Sequence, residues 1–312
     1  MTLAQQTTAL ELFGYTAREA SFLVTAALHS GYFVMRQLTP HRGKVAERFE
    51  RKMVSYQHAS VSRCGSNTHL FHLRAKSLYR ALGQENNRHR RAHSPFHVRS
   101  KVMGLDYVLQ HPSFRFLPTE EEKLTFFCNE RNLSKSLLPT KTYAGKGSET
   151  DRFFVDKYPI RVDLETGNVS FCFIDDGAFS CLGFDTWLGQ YDLLAREMSG
   201  VEIVYVSGNP TTFETARKQF EKQFSTVTSG ATSADLLAYF ELRKDFDSAG
   251  FRGRSQAVLD TMKRLRRIFS DARFDAEYAF WLNGSQPVPS GPKITFSTYH
   301  LDHSYRFLKV RS

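Results

Sequence analysis

The sequence predicts a mixed chain, α+β in its first part and shading into α/β in its second. A small unit of helices closed by a β-hairpin precedes a larger unit of strands and helices with extra helices at its C-terminal end. Three observations predict this. Capping residues and apolar periodicity over residues 17–82 give helix, short helix, basic helix, hairpin and helix in that order. A polar, basic stretch, QENNRHRRAHSP, covers 84–95. Beyond it, helical spacing alternates with β-branched and aromatic runs. The expected division is 1–83, a linker at 84–95, and 96–312.

In the first part, Thr16 is positioned to N-cap a helix, with Glu19 as the capping-box acid. Phe22, Leu23, Ala26 and Ala27 continue it toward Gly31. Tyr32–Met35 is a short apolar piece, followed by one helical turn at 35–38 and a break at Thr39-Pro40. The next helix, about 43–56, sets Val45, Phe49, Met53 and Tyr56 on one face and Lys44, Arg48, Arg51 and Lys52 mainly on another. Two β-like runs, 59–63 and 69–73, flank a turn-forming Cys64-Gly65-Ser66-Asn67-Thr68. A last helix, about 75–82, stops at Gly83. This order is that of a winged helix-turn-helix, in which a helix enters the major groove and its cations anchor on phosphates. The expected nucleic-acid contacts are Arg42, Lys44, Arg48, Arg51 and Lys52 near or on the basic helix. Arg63, Asn67 and His69 are expected on the wing, and Arg88, Arg90 and Arg91 in the linker. The competing reading is the solvated face of an ordinary amphipathic helix.

Charge favours the first reading. Residues 1–111 hold 16 of the 42 Lys+Arg, 6 of the 32 Asp+Glu and nine of the 11 His, so the whole +10 excess lies there. Segregated positive charge is the footprint of a polyanion partner. The chain is long for one core, and 41% hydrophobic residues with 27 Phe argue against disorder. No apolar run approaches the roughly 20 residues of a membrane span, and the N-terminus carries no secretory pattern, so the expected location is cytoplasmic. Cys64, Cys128, Cys172 and Cys181 are widely spaced and form no C-x-x-C pair, which argues against a disulfide scaffold and a four-cysteine zinc site. Cys64, His69 and His72 lack a fourth ligand. His89, His93 and His97 stand among arginines that repel a cation, so neither set is read as a zinc site.

In the second part, helices are expected at about 96–110 and 118–132, the latter capped by Thr119 ahead of Glu120–Glu122. Strands are expected at 151–158, 160–164 and 169–174, with Thr166-Gly167-Asn168 as a tight turn. A helix at 182–198, the buried strand VEIVYVS at 201–207 and a helix at about 212–224 follow. Helix, three strands, helix, strand is the order of the PD-(D/E)XK nuclease core, where carboxylates hold Mg²⁺ against a phosphate. The candidate catalytic acids are Asp156 and Asp163, then Asp175 and Asp176. The lysine expected two residues further is Gly177 or Ala178. Helices at 233–242 and 255–269 follow, the second carrying Lys263, Arg264, Arg266 and Arg267. A Pro/Gly/Ser loop at 283–292 precedes a tail that alternates aromatic and polar residues.

Taken together, residues 17–82 and the stretches FIDDGAFSCLGFDTWLGQYDLL and VEIVYVSGNPTTFETARKQF resemble the replication-relaxation family of plasmids and other mobile elements. The resemblance covers roughly two thirds of the chain. It implies a protein that binds double-stranded DNA through a winged helix, with a nuclease-like second domain used in binding, assembly or dimerisation. Where the family often has Glu, this chain has Phe173, and Asp175-Asp176-Gly177 replaces Asp-Arg-Gly. Those departures remove an acid from the metal site, so no cofactor is expected. Mg²⁺ enters only under the alternative of a metal-dependent endonuclease. A further alternative is a component of a nucleoprotein complex that binds RNA or other proteins.

Overall fold

A computed structural model describes residues 1–39, 43–65, 68–144, 149–177, 181–198, 200–224, 233–250, 253–269, 272–284, 294–305 and 308. It is mixed α+β, with helices around several sheets.

The first unit opens with α1 (Leu3–Glu11), a helix with little apolar periodicity that is started by a Thr2–Gln5 capping box. Helix α2 (Ala17–His29) begins at the expected Thr16–Glu19 box. Strand β1 (Tyr32–Val34) and a 3-10 turn, Met35–Gln37, lead to α3 (Lys44–Ser55). Strands β2 (Ala59–Cys64) and β3 (Thr68–Leu73) form an antiparallel hairpin, and β1 pairs with β3 to give the order β1-β3-β2. Helix α4 (Lys76–Ala81) closes the unit. Its core gathers Leu23, Phe33, Phe49, Met53, Phe71 and Tyr79, all fully buried. The inward face of α3 is Ala46, Phe49 and Met53. Val45 and Tyr56, expected inside, are 59% and 49% exposed, because Ala46 takes the inward place in the first turn and Tyr56 lies at the C-cap, past the last helical turn.

The 84–95 stretch is folded against its neighbours. A 3-10 turn at Arg88–Arg90 buries His89, whose carbonyl lies 3.1 Å from His72 Nε2 of β3. Gly31 has φ +75°, and a Cβ there would lie 2.6 Å from the His89 carbonyl, so only glycine admits this approach. Helix α5 (Pro95–Leu109) then packs on α2 and β1 on one side and on the second sheet on the other. Arg36 grips Asp106 of α5 with two 2.7 Å bonds, Tyr305 donates to the same carboxylate at 2.6 Å, and Gln37 donates to the Val102 carbonyl at 3.0 Å. The two parts are therefore clamped together across α5.

The second sheet has five strands: β4 (Arg115–Phe116), β7 (Ile160–Val162), β8 (Val169–Asp175), β9 (Val201–Ser207) and β10 (Ile294–His300), in the order β10-β9-β8-β7-β4. β8, β9 and β10 run parallel, and β7 and β4 run antiparallel. Helix α7 (Cys181–Glu197) is the crossover between β8 and β9. Its Phe184, Leu188 and Tyr191 pack on Phe171, Phe173 and Tyr205. Helix α8 (Phe213–Gln223) adds Phe220 to the same layer. Helix α6 (Glu120–Leu124) continues as a π-helical turn, Thr125–Glu130. The expected strand at 151–158 is replaced by β6 (Glu149–Phe153), which pairs only with β5 (Thr140–Ala144) in a separate exposed hairpin, followed by a turn. Helices α9 (Ser233–Ala249), α10 (Gln256–Ile268) and α11 (Ala272–Leu282) bury Phe240, Leu265 and Tyr278 in a core of their own. Among the described residues, no helix is long and apolar enough to cross a membrane.

Candidate nucleic-acid interface and carboxylate cleft

The outward stripe of α3 is Lys44, Glu47, Arg48, Arg51 and Ser55, spaced three and four residues apart so that they share one face. Arg48 is 59% exposed and makes one long contact, 3.9 Å, to Glu19. Among the described residues, Arg51 bonds only the Glu47 carbonyl, at 3.4 Å. Lys44 has no side-chain partner among the described residues. Lys52, expected on this face, turns the other way. It donates to the Gly14 carbonyl at 2.5 Å, pairs with Glu19 at 3.4 Å and lies 5.2 Å above the Tyr15 ring. Position 52 lies just three residues from the buried Phe49 and is 18% exposed, so its charge serves the packing of α2 on α3.

On the hairpin, Arg63 is exposed and without a partner among the described residues. His69, read as a phosphate contact, has its Nδ1 2.7 Å from Glu50 of α3, fixing the hairpin against the helix. Arg42 and Asn67 lie outside the described residues. Arg90 folds back to donate to the carbonyls of Glu85 (2.7 Å) and Arg74 (3.4 Å), which leaves Arg88 and Arg91 as the available cations of the segment. In α10, Lys263, Arg264 and Arg266 are exposed, with Arg264 3.6 Å from Asp235, and Met262 and Leu265 turn inward. The side chain of Arg267 lies outside the described residues.

The four candidate acids do not form one set. Asp163 sits in the β7–β8 turn, where its Oδ1 accepts the backbone N–H groups of Glu165 (2.8 Å) and Thr166 (3.1 Å). Those bonds hold its carboxyl below the ordinary value. It stands at the opposite end of β8 from Asp175, about 20 Å away at the rise of a strand, so the two share no metal. The turn-forming Thr166-Gly167-Asn168 is what calls for an acid there.

Asp156 lies in the turn between β6 and β7, where Phe154 and Lys157 take φ values of +50° and +58°. Its Oδ1 accepts from Tyr158 N (3.0 Å), and its Oδ2 from Trp187 Nε1 (2.8 Å) and Tyr191 Oη (2.9 Å). Asp175 ends β8 and is buried. Its Oδ2 accepts from Tyr205 (2.6 Å), Ser207 (3.2 Å) and Thr212 (3.4 Å), and its Oδ1 from Gly177 N (2.9 Å). Burial, then the bond to Asp175, pushes the Tyr205 phenol well above its ordinary value. Asp156, Asp175 and Asp176 do line one cleft of about 270 Å³, together with Gln190. Among the described residues, no group of three or more His, Cys, Asp or Glu is arranged to hold a metal ion.

Three lysines not singled out in the sequence, Lys123, Lys101 and Lys157, stand around Asp156. Lys123 is buried, donates to the Tyr158 carbonyl at 3.3 Å and lies 5.3 Å from the Phe154 ring. Lys101 occupies the inner stripe of α5, three residues after Val98 and four before Leu105. That spacing was readable as an inward lysine. Lys157 gave no such signal, because its neighbours come from remote segments. No family model matches this chain, and neither does any curated protein or solved structure.

Proposed function

We propose that this chain binds double-stranded DNA through a winged helix formed by residues 17–73, as a protein of a mobile genetic element. The order α2, β1, one turn, α3, β2, β3 with sheet order β1-β3-β2 supports the winged-helix reading. The observation that carries the proposal is the outward stripe of α3. Among the described residues, Lys44 and Arg51 have no acidic partner and Arg48 has one at 3.9 Å, and the hairpin adds an exposed Arg63, in the segment that holds the whole +10 excess. Cations held by at most one long ion pair on one face are suited to phosphate contacts that release counterions.

The second part is proposed to be a PD-(D/E)XK-like scaffold used for binding or assembly. The β7–β8 hairpin, the α7 crossover and parallel β9 agree with that order. Two of its acids are already saturated by hydroxyl, indole and amide donors, and a metal would have to displace these. The nuclease alternative retains one observation, the convergence of Asp156, Asp175 and Asp176 on one cleft. Incubation of supercoiled plasmid with Mg²⁺ or Mn²⁺ separates the two readings. The scaffold leaves the plasmid intact, whereas nicking lost in Asp176→Ala establishes the nuclease. Competition between duplex DNA and RNA of the same length tests the RNA alternative.

A further inference from the structure

The 84–95 segment, α5 and the turn after β6 enclose a cavity of about 320 Å³. This is near the lower end of the roughly 300–1,000 Å³ typical of small-ligand sites. Its walls bring four cations together from three parts of the chain: Arg88, Arg91, Lys101 and Lys157. The side chains of Arg88, Arg91 and Lys157 have no hydrogen-bond or ion-pair partner among the described residues. Lys101 spends two of its three N–H donors on the Ser30 carbonyl (3.2 Å) and His89 Nδ1 (2.5 Å). His93 also lines the cavity, with its Nε2 buried and without a hydrogen-bond partner among the described residues.

The carboxylate in this wall is Asp156, and its oxygens accept from Tyr158, Trp187 and Tyr191, with no ion pair to the four cations among the described residues. Gathering like charges away from bulk water is costly unless an opposite charge arrives. The cost registers on the groups themselves. Burial, then Lys157, holds Lys101 well below its ordinary value. Burial, then Arg88, with Lys123 and Arg91 adding to it, brings Lys157 to about 8. Perturbed cations that line a cavity are candidates for a binding site.

The ligand's chemistry follows from the donors. Two guanidinium forks and two ammonium groups exceed what a single carboxylate would use, and they match a phosphate monoester with two charges and three terminal oxygens. The cavity adjoins the 270 Å³ cleft, sharing His97, Ser100, Asp156, Tyr158 and Ile174 with it. That second half carries Phe96, 42% exposed, a surface on which a base can stack.

We propose that this cleft is a nucleotide site: a terminal phosphate is held by Arg88, Arg91, Lys101 and Lys157, and the attached base lies against Phe96. The phosphate belongs to the end of a nucleic-acid strand or to a free nucleoside monophosphate. No residue of α3 lines the cleft, so this site stands or falls separately from the proposed duplex-binding face.

The test uses the full chain at fixed ionic strength. Fluorescence anisotropy compares single-stranded oligonucleotides with a 5′-phosphate and a 5′-hydroxyl, and thermal melting compares AMP and inorganic phosphate with chloride. The expected result is at least tenfold tighter binding of the phosphorylated strand. That preference disappears in Arg91→Gln and in Lys157→Gln and persists in Arg48→Glu/Arg51→Glu. Both single variants are at solvent-reachable positions, and their melting curves without ligand show whether they fold. A rise in melting temperature with AMP, with AMP displacing the strand, identifies a free nucleotide as the ligand and also supports the site. Phe96→Ala is expected to lower affinity for AMP and leave that for inorganic phosphate unchanged. The proposal is overturned if neither a terminal phosphate nor AMP is preferred over its control, or if the preference survives in folded Arg91→Gln/Lys157→Gln.

Discussion

Adjacent residues on α3 have opposite duties. Lys52 packs over Tyr15 and bonds the Gly14 carbonyl, while Arg51 faces out with one long backbone contact. Lys52→Ala is therefore expected to cost about 1–2 kcal/mol in urea unfolding, from a lost cation–π contact and charged hydrogen bonds. Arg51→Ala should cost less than about 0.5 kcal/mol, as surface changes do, and should weaken DNA binding. Asp106 is the most demanding single residue. Its side chain is 5% exposed and receives both Arg36 and Tyr305. Asp106→Ala strands a guanidinium and a phenol, and a loss of about 3–5 kcal/mol is expected for breaking such a pair. Co-operative unfolding followed by urea titration checks both values. The direction of Lys52 was not readable from periodicity alone, because a lysine at the edge of an apolar stripe turns inward only where a ring and free carbonyls await it. Asp156 was misplaced for a related reason. The aromatic run DRFFVDKY has strand composition, but positive φ at Phe154 and Lys157 turns it out of the sheet.

Elements with strong local signals were legible. The Thr16–Glu19 and Thr119–Glu122 boxes start helices where the sequence places them, and VEIVYVS is the buried parallel strand β9. Helix α1 was not legible, since only Gln6 and Leu10 of its residues are buried and it offers little periodicity. The 84–95 segment reads as a linker by composition, yet His89 and its neighbours are held by contacts with β1, β3 and α5 that no local pattern encodes. The histidines of this segment, with His29 at the end of α2, also make the fold sensitive to acid. Burial brings His29 to about 3, burial with Lys101 and Lys157 brings His93 to about 4, and burial holds His89 well below the ordinary 6.5. The unfolded chain takes up these protons near pH 6.5, whereas the folded one resists. Their contribution is thus complete above about pH 6.5 and is lost as pH falls toward 4 and below. A melting temperature that declines steadily from pH 6.5 to 4, less so in His89→Gln, is the expected result. Helices α9–α11 pose the opposite case. Because they bury their own core, replacing residues 233–284 by a flexible linker should leave DNA affinity unchanged within about twofold, an estimate resting on the additivity of separate parts.

At the scale of the whole molecule, charge and architecture point in the same direction. The excess charge lies on the first 111 residues, and those residues form the small unit, the folded basic segment and the helix that clamps both parts together. The clamp through Arg36, Asp106 and Tyr305 ties the small unit to the second sheet, so a duplex bound by α3 as proposed would keep a fixed position relative to that sheet. The measurement that tests the central claim most directly is duplex-DNA affinity of the full chain against Arg48→Glu/Arg51→Glu, titrated in salt. The account predicts tight, salt-dependent binding in the parent chain. The variant should bind at least tenfold more weakly, with a log–log salt slope smaller by about 2, one phosphate contact for each arginine. Equal affinity and equal slope in the two proteins would contradict it and move the duplex site away from α3.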